Sequence, residues 1–130
     1  MPADDKQTMT DLKQSEISST LKEMRYAVAA IEDKKGESIR ILDVRGKSSI
    51  TDYVIIASGS SNPHIKAIKS ALTDALKEVG VALSTEDREV GSGWIVVDAF
   101  DFVVHLQTQE VRDFYRLDQL WKDAMSIVIE

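Results

Sequence analysis

The stretch Ser48-Ser49-Ile50-Thr51-Asp52-Tyr53-Val54-Ile55-Ile56-Ala57-Ser58-Gly59 decides the fold, because a buried strand in it leads directly into a turn and a helix. Its run of successive apolar residues, three of them β-branched, is typical of a strand covered on both faces. Asn62 then offers a helix cap and Pro63 suits a first helical position. The helix predicted from there keeps apolar residues at helical spacing until Gly80, namely Ile65, Ile68, Leu72, Ala75, Leu76 and Val79. Strand, turn and helix form either half of a nucleotide-binding unit or a scaffold that resembles one.

Composition limits both the size of the protein and its chemistry. A chain of 130 residues with 43% hydrophobic residues predicts one domain with a single core. A formal net charge of -6 argues against nucleic-acid phosphates as partners and is compatible with a basic protein partner. The absence of cysteine excludes disulfides and thiolate sites, and only two histidines remain for any metal. The sequence therefore predicts no cofactor and no metal.

The two ends of the chain are expected to lie outside the domain. Residues 1–18 are polar and aperiodic, which predicts a flexible N-terminal extension. The segment 1–6 lacks both the apolar run of a signal peptide and the acid-poor character of a transit peptide. No apolar run is long enough to cross a bilayer, so a cytoplasmic location without membrane contact is expected. The folded domain is predicted over 19–124, followed by an apolar tail over 125–130.

Outside the opening strand and helix, the pattern alternates between helical and extended segments. Thr20 and Glu23 have the spacing of a capping box, which predicts a helix start. The order αββαβββα predicts an α/β protein with a mixed β-sheet and helices packed mainly on one face. The remaining expected segments are a helix from Thr20 to near Gly36, strands Ile39–Val44 and Val81–Thr85, a loop Glu86–Gly93, a hairpin of Trp94–Asp98 and Phe102–Gln107, and helical turns over Val111–Trp121.

The hairpin supplies the candidate site. A two-residue turn at Ala99-Phe100 places the polar residues on one sheet face, whereas a three-residue turn would move Trp94 to the apolar face. The first register is favoured because it isolates the polar residues, and Trp94 then lies on a partly exposed platform suited to an interface. In this register the predicted pairs are Trp94 with His105, Val96 with Val103, and Asp98 with Asp101. Acids of the preceding loop, notably Glu86, form either an ordinary solvated loop or a rim for a basic partner beside Trp94.

The turn after the opening strand and the nearby acids allow both an enzymatic and a purely structural interpretation. The turn Gly59–Asn62 could cradle a phosphate at a helix start, but an ordinary capped connection is favoured, since the P-loop spacing is absent. His64 is expected to cap or pack locally. A metal-dependent nucleotidyltransferase using Ser60, Asp98 and Asp101 is the alternative function, although such chemistry needs converging carboxylates. A third possibility is a generic dimerisation module.

Several motifs together resemble the ribosomal silencing factor family, also called Iojap-like. The resemblance covers about residues 21–123. It is carried by Glu32-Asp33-Lys34-Lys35-Gly36-Glu37, Leu42–Tyr53, Ala57–Asn62 with His64, Gly93-Trp94-Ile95-Val96-Val97-Asp98, Asp101–His105 and Tyr115-Arg116-Leu117-Asp118-Gln119-Leu120-Trp121.

The resemblance implies a fold related to nucleotidyltransferases, without the catalytic carboxylates and without transferase activity. It also implies binding to the fourteenth protein of the large ribosomal subunit, which would block association with the small subunit and repress translation under nutrient limitation. Free members of the family are often homodimers. The position of Trp94 implies a ribosomal contact, to which Val96, Asp98, Asp101, His105 and Glu86 are added as weaker candidates.

This chain departs from the family pattern at two positions near that surface. Phe100 stands where the family usually has a glycine, and Asp87 stands where a glycine usually follows the acid matching Glu86. The first departure affects the shape of the hairpin turn, on which the register depends.

Overall fold

The computed structural model describes the backbone of residues 4–85 and 88–128 and the side chains of residues 15–85 and 89–128. In chain order the elements are helix α1 (Asp4–Asp33), strands β1 (Glu37–Asp43) and β2 (Tyr53–Gly59), helix α2 (Asn62–Glu78), strands β3 (Arg88–Gly91), β4 (Trp94–Asp98) and β5 (Phe102–Thr108), helices α3 (Gln109–Tyr115) and α4 (Leu117–Leu120), and strand β6 (Met125–Ser126). The predicted α/β class is confirmed. Within the described ranges, none of the helices combines the length and the apolarity needed to cross a membrane.

The sheet has six strands in the order β3-β4-β5-β2-β1-β6. Strands β2 and β5 are parallel, while all the other neighbouring pairs are antiparallel. Every residue of β2 is buried, as its continuous apolar run predicts. The sheet is therefore mixed, and β2, the strand predicted to be covered on both faces, lies near its middle.

The two faces of the sheet are covered unequally. Helices α1 and α2 pack over one face and form the main core with it. The other face is covered over β1 and β2, where Leu42, Val44, Val54 and Ile56 contact Leu117, Trp121 and Ala124. The outward side of β4 lies beyond this second cluster. The prediction of helices mainly on one face is thus confirmed, whereas kinship with nucleotidyltransferases stays a prediction.

The first helix begins earlier than the sequence predicted. Thr20 is not a cap but a mid-helix residue, whose Oγ1 donates a hydrogen bond to the carbonyl oxygen of Glu16 (3.0 Å). The expectation that the helix starts at Thr20 was wrong, because a polar helical segment carries no apolar periodicity that would reveal it. The proposed division between residues 1–18 and 19–124 stays a prediction.

The strand predicted at Val81–Thr85 is also wrong. The Val81 amide closes the end of α2 by donating to the carbonyl of Leu76 (2.9 Å), and the third strand instead runs over Arg88–Gly91. That strand lies within the segment predicted to be a loop. The tail, whose packing the sequence left open, forms the short edge strand β6 against β1.

The hairpin confirms the predicted faces but not the predicted pairs. Trp94 lies opposite Gln107, Val96 opposite His105, and Asp98 opposite Val103, a shift of two residues from the expected register. Since side chains alternate with period two, a shift of two leaves the residues of both strands on their predicted faces. Asp101, which was predicted to pair with Asp98, precedes β5 and lies on the α1 side instead. The shift arises at the turn, where Phe100 has a φ of 69° and the Asp101 amide donates to the carbonyl of Ala99 (2.8 Å). This left-handed conformation is one that glycine adopts without strain.

Candidate protein-interaction site

The outward side of β4 and β5 forms a partly exposed surface, here called the open face. Its members are Trp94, Val96, Asp98, Val103 and His105. Four of the six residues predicted to bind a partner therefore lie together on it. Successive side chains of β4 point to opposite faces of the sheet, so partly exposed and buried residues alternate along the strand. Ile95 and Val97 point into the main core.

The remaining two predicted residues lie elsewhere. Asp101 follows the turn and lines an acidic cleft of about 390 Å³ between the hairpin and α1, together with Glu23 and Asp52. Burial, and after it the charge of Asp101, raises the pKa of the Glu23 carboxyl. Asp101 thus faces the α1 side of the sheet rather than the open face. Glu86 lies outside the described residues.

Gly93 fixes the position of Trp94. Its amide donates to Asn62 Oδ1 (3.0 Å) and its carbonyl accepts from the Thr108 amide (2.9 Å), so it is held between the starts of α2 and α3. It has a φ of +83°, and a Cβ there would lie 2.9 Å from Thr108 Oγ1 and 2.9 Å from Val111 Cγ2. Only glycine allows the backbone at position 93 to lie this close to the start of α3. This close contact places the next residue, Trp94, beside α3.

The Trp94 indole is oriented by His105. Trp94 Nε1 donates to His105 Nδ1 at 3.1 Å, and the ring centroids are 5.9 Å apart. Burial lowers the pKa of His105 to about 4, so the imidazole is neutral at physiological pH and keeps Nδ1 free to accept. The pair therefore holds a rigid, half-buried indole on the open face.

Two aromatic residues of α3 extend this surface. Tyr115 lies 4.9 Å from the Trp94 ring, and Phe114 lies 5.0 Å from Tyr115, measured between ring centroids. Phe114 is 79% exposed and Tyr115 57% exposed. We call Trp94, Tyr115 and Phe114 the aromatic row. Sequence reasoning missed the two α3 members, although two adjacent aromatics in a short helix after the hairpin were a usable signal.

Helix α3 is attached to the sheet by a buried arginine. Arg112, only 7% exposed, donates from Nη1 to the Ser38 carbonyl (2.7 Å) and to Ser58 Oγ (2.8 Å). Its Nε and Nη2 donate to the two carboxylate oxygens of Asp118, at 3.1 and 3.2 Å. Such a bidentate pair fixes orientation as well as distance. The placement of Tyr115 against Trp94 depends on this anchor.

A buried amide lies beneath the same surface. Gln107 is fully buried, and within the described part of the chain neither of its amide atoms has a hydrogen-bond partner. It lies opposite Trp94 in one strand pair and opposite Ser58 in the other. A buried polar group without a partner destabilises a fold, so its presence here is unfavourable.

Replacing Gln107 by methionine is therefore expected to raise the free energy of unfolding by about 1 kcal/mol. Methionine is of similar size and has no amide group whose hydrogen bonds to water are lost when the chain folds. Urea denaturation measures the change. Gln109→Met, at an exposed position, is the matched control and should stay within about 0.5 kcal/mol of the parent. A destabilised Gln107→Met would show that the amide is hydrogen-bonded in the folded protein.

The turn after β2 is a capped connection, as the favoured interpretation predicted. Ser61, and not Asn62, caps α2, because its hydroxyl accepts from the His64 amide (3.2 Å). His64 Nδ1 accepts from the Ser60 amide (2.8 Å), and Nε2 lies 2.7 Å from the Lys34 carbonyl. The amides of Ser60 and His64, two of those that could cradle a phosphate at this helix start, thus already have partners within the chain.

The residues of the alternative enzymatic site are not brought together. Ser60 follows the end of β2, whereas Asp98 lies near its start, and a seven-residue strand spans about 20 Å. Asp98 is on the open face and Asp101 faces α1, so their carboxylates do not converge. Within the described ranges, no three histidine, aspartate or glutamate residues are placed to hold a metal ion.

A mixed sheet with an open face, an oriented tryptophan and exposed aromatics beside it defines an α/β protein with a candidate surface for binding another macromolecule. The chain belongs to the family described as ribosomal silencing factor during starvation, whose model matches residues 17–130. This confirms the family indicated by the sequence motifs.

Individual relatives agree with this assignment. The ribosomal silencing factor of Bacillus subtilis is 35% identical over 101 residues, which cover 78% of this chain and 86% of that protein. A crystal structure of a Chromobacterium violaceum protein has a TM-score of 0.72 and 37% identity, covering 78% of this chain and 84% of the other. A mouse protein named mitochondrial assembly of ribosomal large subunit protein 1 is 28% identical over 100 residues, which cover 72% of this chain and 42% of that protein.

Proposed function

We propose that this chain binds the fourteenth protein of the large ribosomal subunit through the open face and thereby blocks joining with the small subunit. Inhibition is steric and requires no chemistry. The observation that carries the proposal is the aromatic row, in which an oriented, half-buried tryptophan adjoins two exposed rings. Aromatic anchors surrounded by polar groups are characteristic of the centre of protein interfaces.

Charge supports a ribosomal protein as the target. The chain has a formal net charge of -6, and Asp98 lies on the open face itself. An acidic surface accelerates encounter with a basic partner and disfavours direct contact with ribosomal RNA. The name of the mouse relative, which refers to the large ribosomal subunit, supports the choice of subunit.

The proposal includes the setting in which the protein acts. Repression of translation under nutrient limitation agrees with the description of the family. The cytoplasm is the expected location, since ribosomal subunits join there. The free protein is proposed to be a homodimer, by its resemblance to other members of the family.

Sedimentation of purified large and small subunits, with and without the protein at near-physiological salt and magnesium, tests the proposal. Comigration with the large subunit and a loss of joined ribosomes are the expected results. If the folded protein sediments with neither subunit and leaves joining unchanged, the proposal fails. Thermal stabilisation by nucleotides with magnesium would instead favour the enzymatic alternative.

A further inference from the structure

The apex of the hairpin carries an exposed aromatic residue in a strained backbone conformation. Phe100 has a φ of 69° and is 55% exposed. Positive φ is rare for residues other than glycine, asparagine and aspartate, and a bulky side chain makes it rarer. The isolated fold thus retains a phenylalanine that is unfavourable both for the backbone and for the surface.

The conformation persists because its neighbours fix it. The Phe100 amide donates to Asp98 Oδ1 (2.8 Å), and its carbonyl accepts from Thr51 Oγ1 (3.2 Å). The Asp52 amide donates to the carbonyl of Asp101 (3.3 Å). These bonds involve the backbone of the turn and not the phenylalanine ring, so a glycine could make all of them. Backbone strain held in this way is concentrated at functional positions.

The segment that is hydrogen-bonded to the turn adds further exposed side chains near Phe100 in the chain trace. Ile50, which is 80% exposed, directly precedes the threonine that binds the Phe100 carbonyl. The exposed acids Asp52 and Asp101 lie beside the turn. We call Ile50, Phe100, Asp52 and Asp101 the hairpin tip. It combines two exposed apolar side chains with two exposed acids, which also line the cleft on the α1 side.

We propose that the hairpin tip is a second anchor for the protein partner of the open face, one that fits an apolar spot flanked by lysine or arginine. This inference rests on the proposed function. The tip is continuous with the open face, because Asp98 belongs to that face and its carboxylate binds the Phe100 amide. Asp98 follows Trp94 by four positions, about 13 Å along the strand, so one interface of standard size spans both anchors.

Phe100→Gly separates the ring from the backbone conformation. The variant is expected to melt at a higher temperature, because glycine adopts the turn without strain. Its dissociation constant for purified large subunits is expected to rise at least tenfold. Phe100→Leu, which keeps an apolar side chain in the same conformation, should bind within threefold of the parent. Ile50→Ser, at an exposed loop position, should weaken binding several-fold without changing the melting temperature.

The outcomes distinguish this inference from the proposed function. If the parent binds large subunits and Trp94→Ala does not, while Phe100→Gly and Ile50→Ser bind like the parent, the tip is no anchor and the proposed function stands. If Phe100→Gly melts at a lower temperature, the ring stabilises the fold and the inference is overturned. If the parent itself fails to bind large subunits, the proposed function falls and the second anchor falls with it.

Discussion

Replacing Asp118 by alanine is expected to lower the free energy of unfolding by about 3 kcal/mol, because it leaves the Arg112 guanidinium buried without a counter-charge. Arg112 is 7% exposed and Asp118 accepts two of its hydrogen bonds. The carboxylate also accepts from Arg40 at 3.1 Å. Its side chain is 25% exposed, which places the expected loss at the lower end of the range for broken buried pairs.

Chemical denaturation of the parent and of Asp118→Ala at pH 7 measures this loss. Asp113→Ala is the matched control, since Asp113 is an exposed acid of α3 whose carboxylate accepts a hydrogen bond from Gln109 Nε2 (2.8 Å). The control should change stability by less than about 0.5 kcal/mol. If Asp118→Ala behaves like the control, the carboxylate does not compensate the buried arginine.

The difference between parent and variant should also depend on pH. Burial alone would raise the pKa of Asp118, but hydrogen bonds and charge from Arg112 and Arg40 outweigh it and lower the pKa below the ordinary value of 3.8. A carboxyl with a lowered pKa in the folded state contributes stability above its unfolded pKa and loses it as pH falls through the folded pKa. The difference in free energy of unfolding between the parent and Asp118→Ala is therefore expected to be largest at neutral pH and to disappear in acid, below about pH 4.

The effect of Asp118→Ala reaches the candidate site because the same pair orients α3. The helix ends at Arg116 in a left-handed conformation (φ 52°, ψ 48°), directly after Tyr115. Loosening the Arg112 anchor would let the tyrosine ring move from the Trp94 indole. We therefore expect this variant to bind large subunits less tightly, because the aromatic row is mispositioned and not because a contact residue is lost.

Local patterns predicted the elements whose signals are local. Strand β2 was evident from its continuous apolar run, and α2 from its helical spacing and terminal glycine. The faces of the hairpin were also predictable, since alternation survives any shift by two residues. The exact pairs were not, because the turn is shaped by Phe100 and by Thr51, which lies 49 residues earlier in the chain.

The candidate site was predictable only where the alternation of side chains along the two hairpin strands supplies it. Trp94 could be placed on an exposed face from the alternation of β4 alone. Tyr115 and Phe114 could not be brought to that face, because their helix is positioned by an arginine that reaches residues 54 and 74 positions away in the chain. Contacts of such separation leave no periodic trace in the sequence. The sequence thus predicted some residues of the candidate site, but it did not predict how far the site extends onto α3.

Trp94→Ala is expected to weaken binding to the large subunit by about 2 kcal/mol or more, because it removes the central aromatic anchor. This corresponds to about a thirtyfold rise in the dissociation constant. Silencing at modest protein concentrations should then be lost. Sedimentation with purified large subunits over a range of protein concentrations measures the affinity, and a subunit-joining assay measures the silencing.

The indole also packs within the protein, so its loss must be separated from damage to the fold. Trp94→Phe keeps a ring against Tyr115 but loses the hydrogen bond to His105, and should bind with intermediate affinity. Phe114→Ala removes an exposed ring and should weaken binding with little change in melting temperature. A folded Trp94→Ala variant that silences ribosomes as well as the parent would show that the open face is not the contact surface.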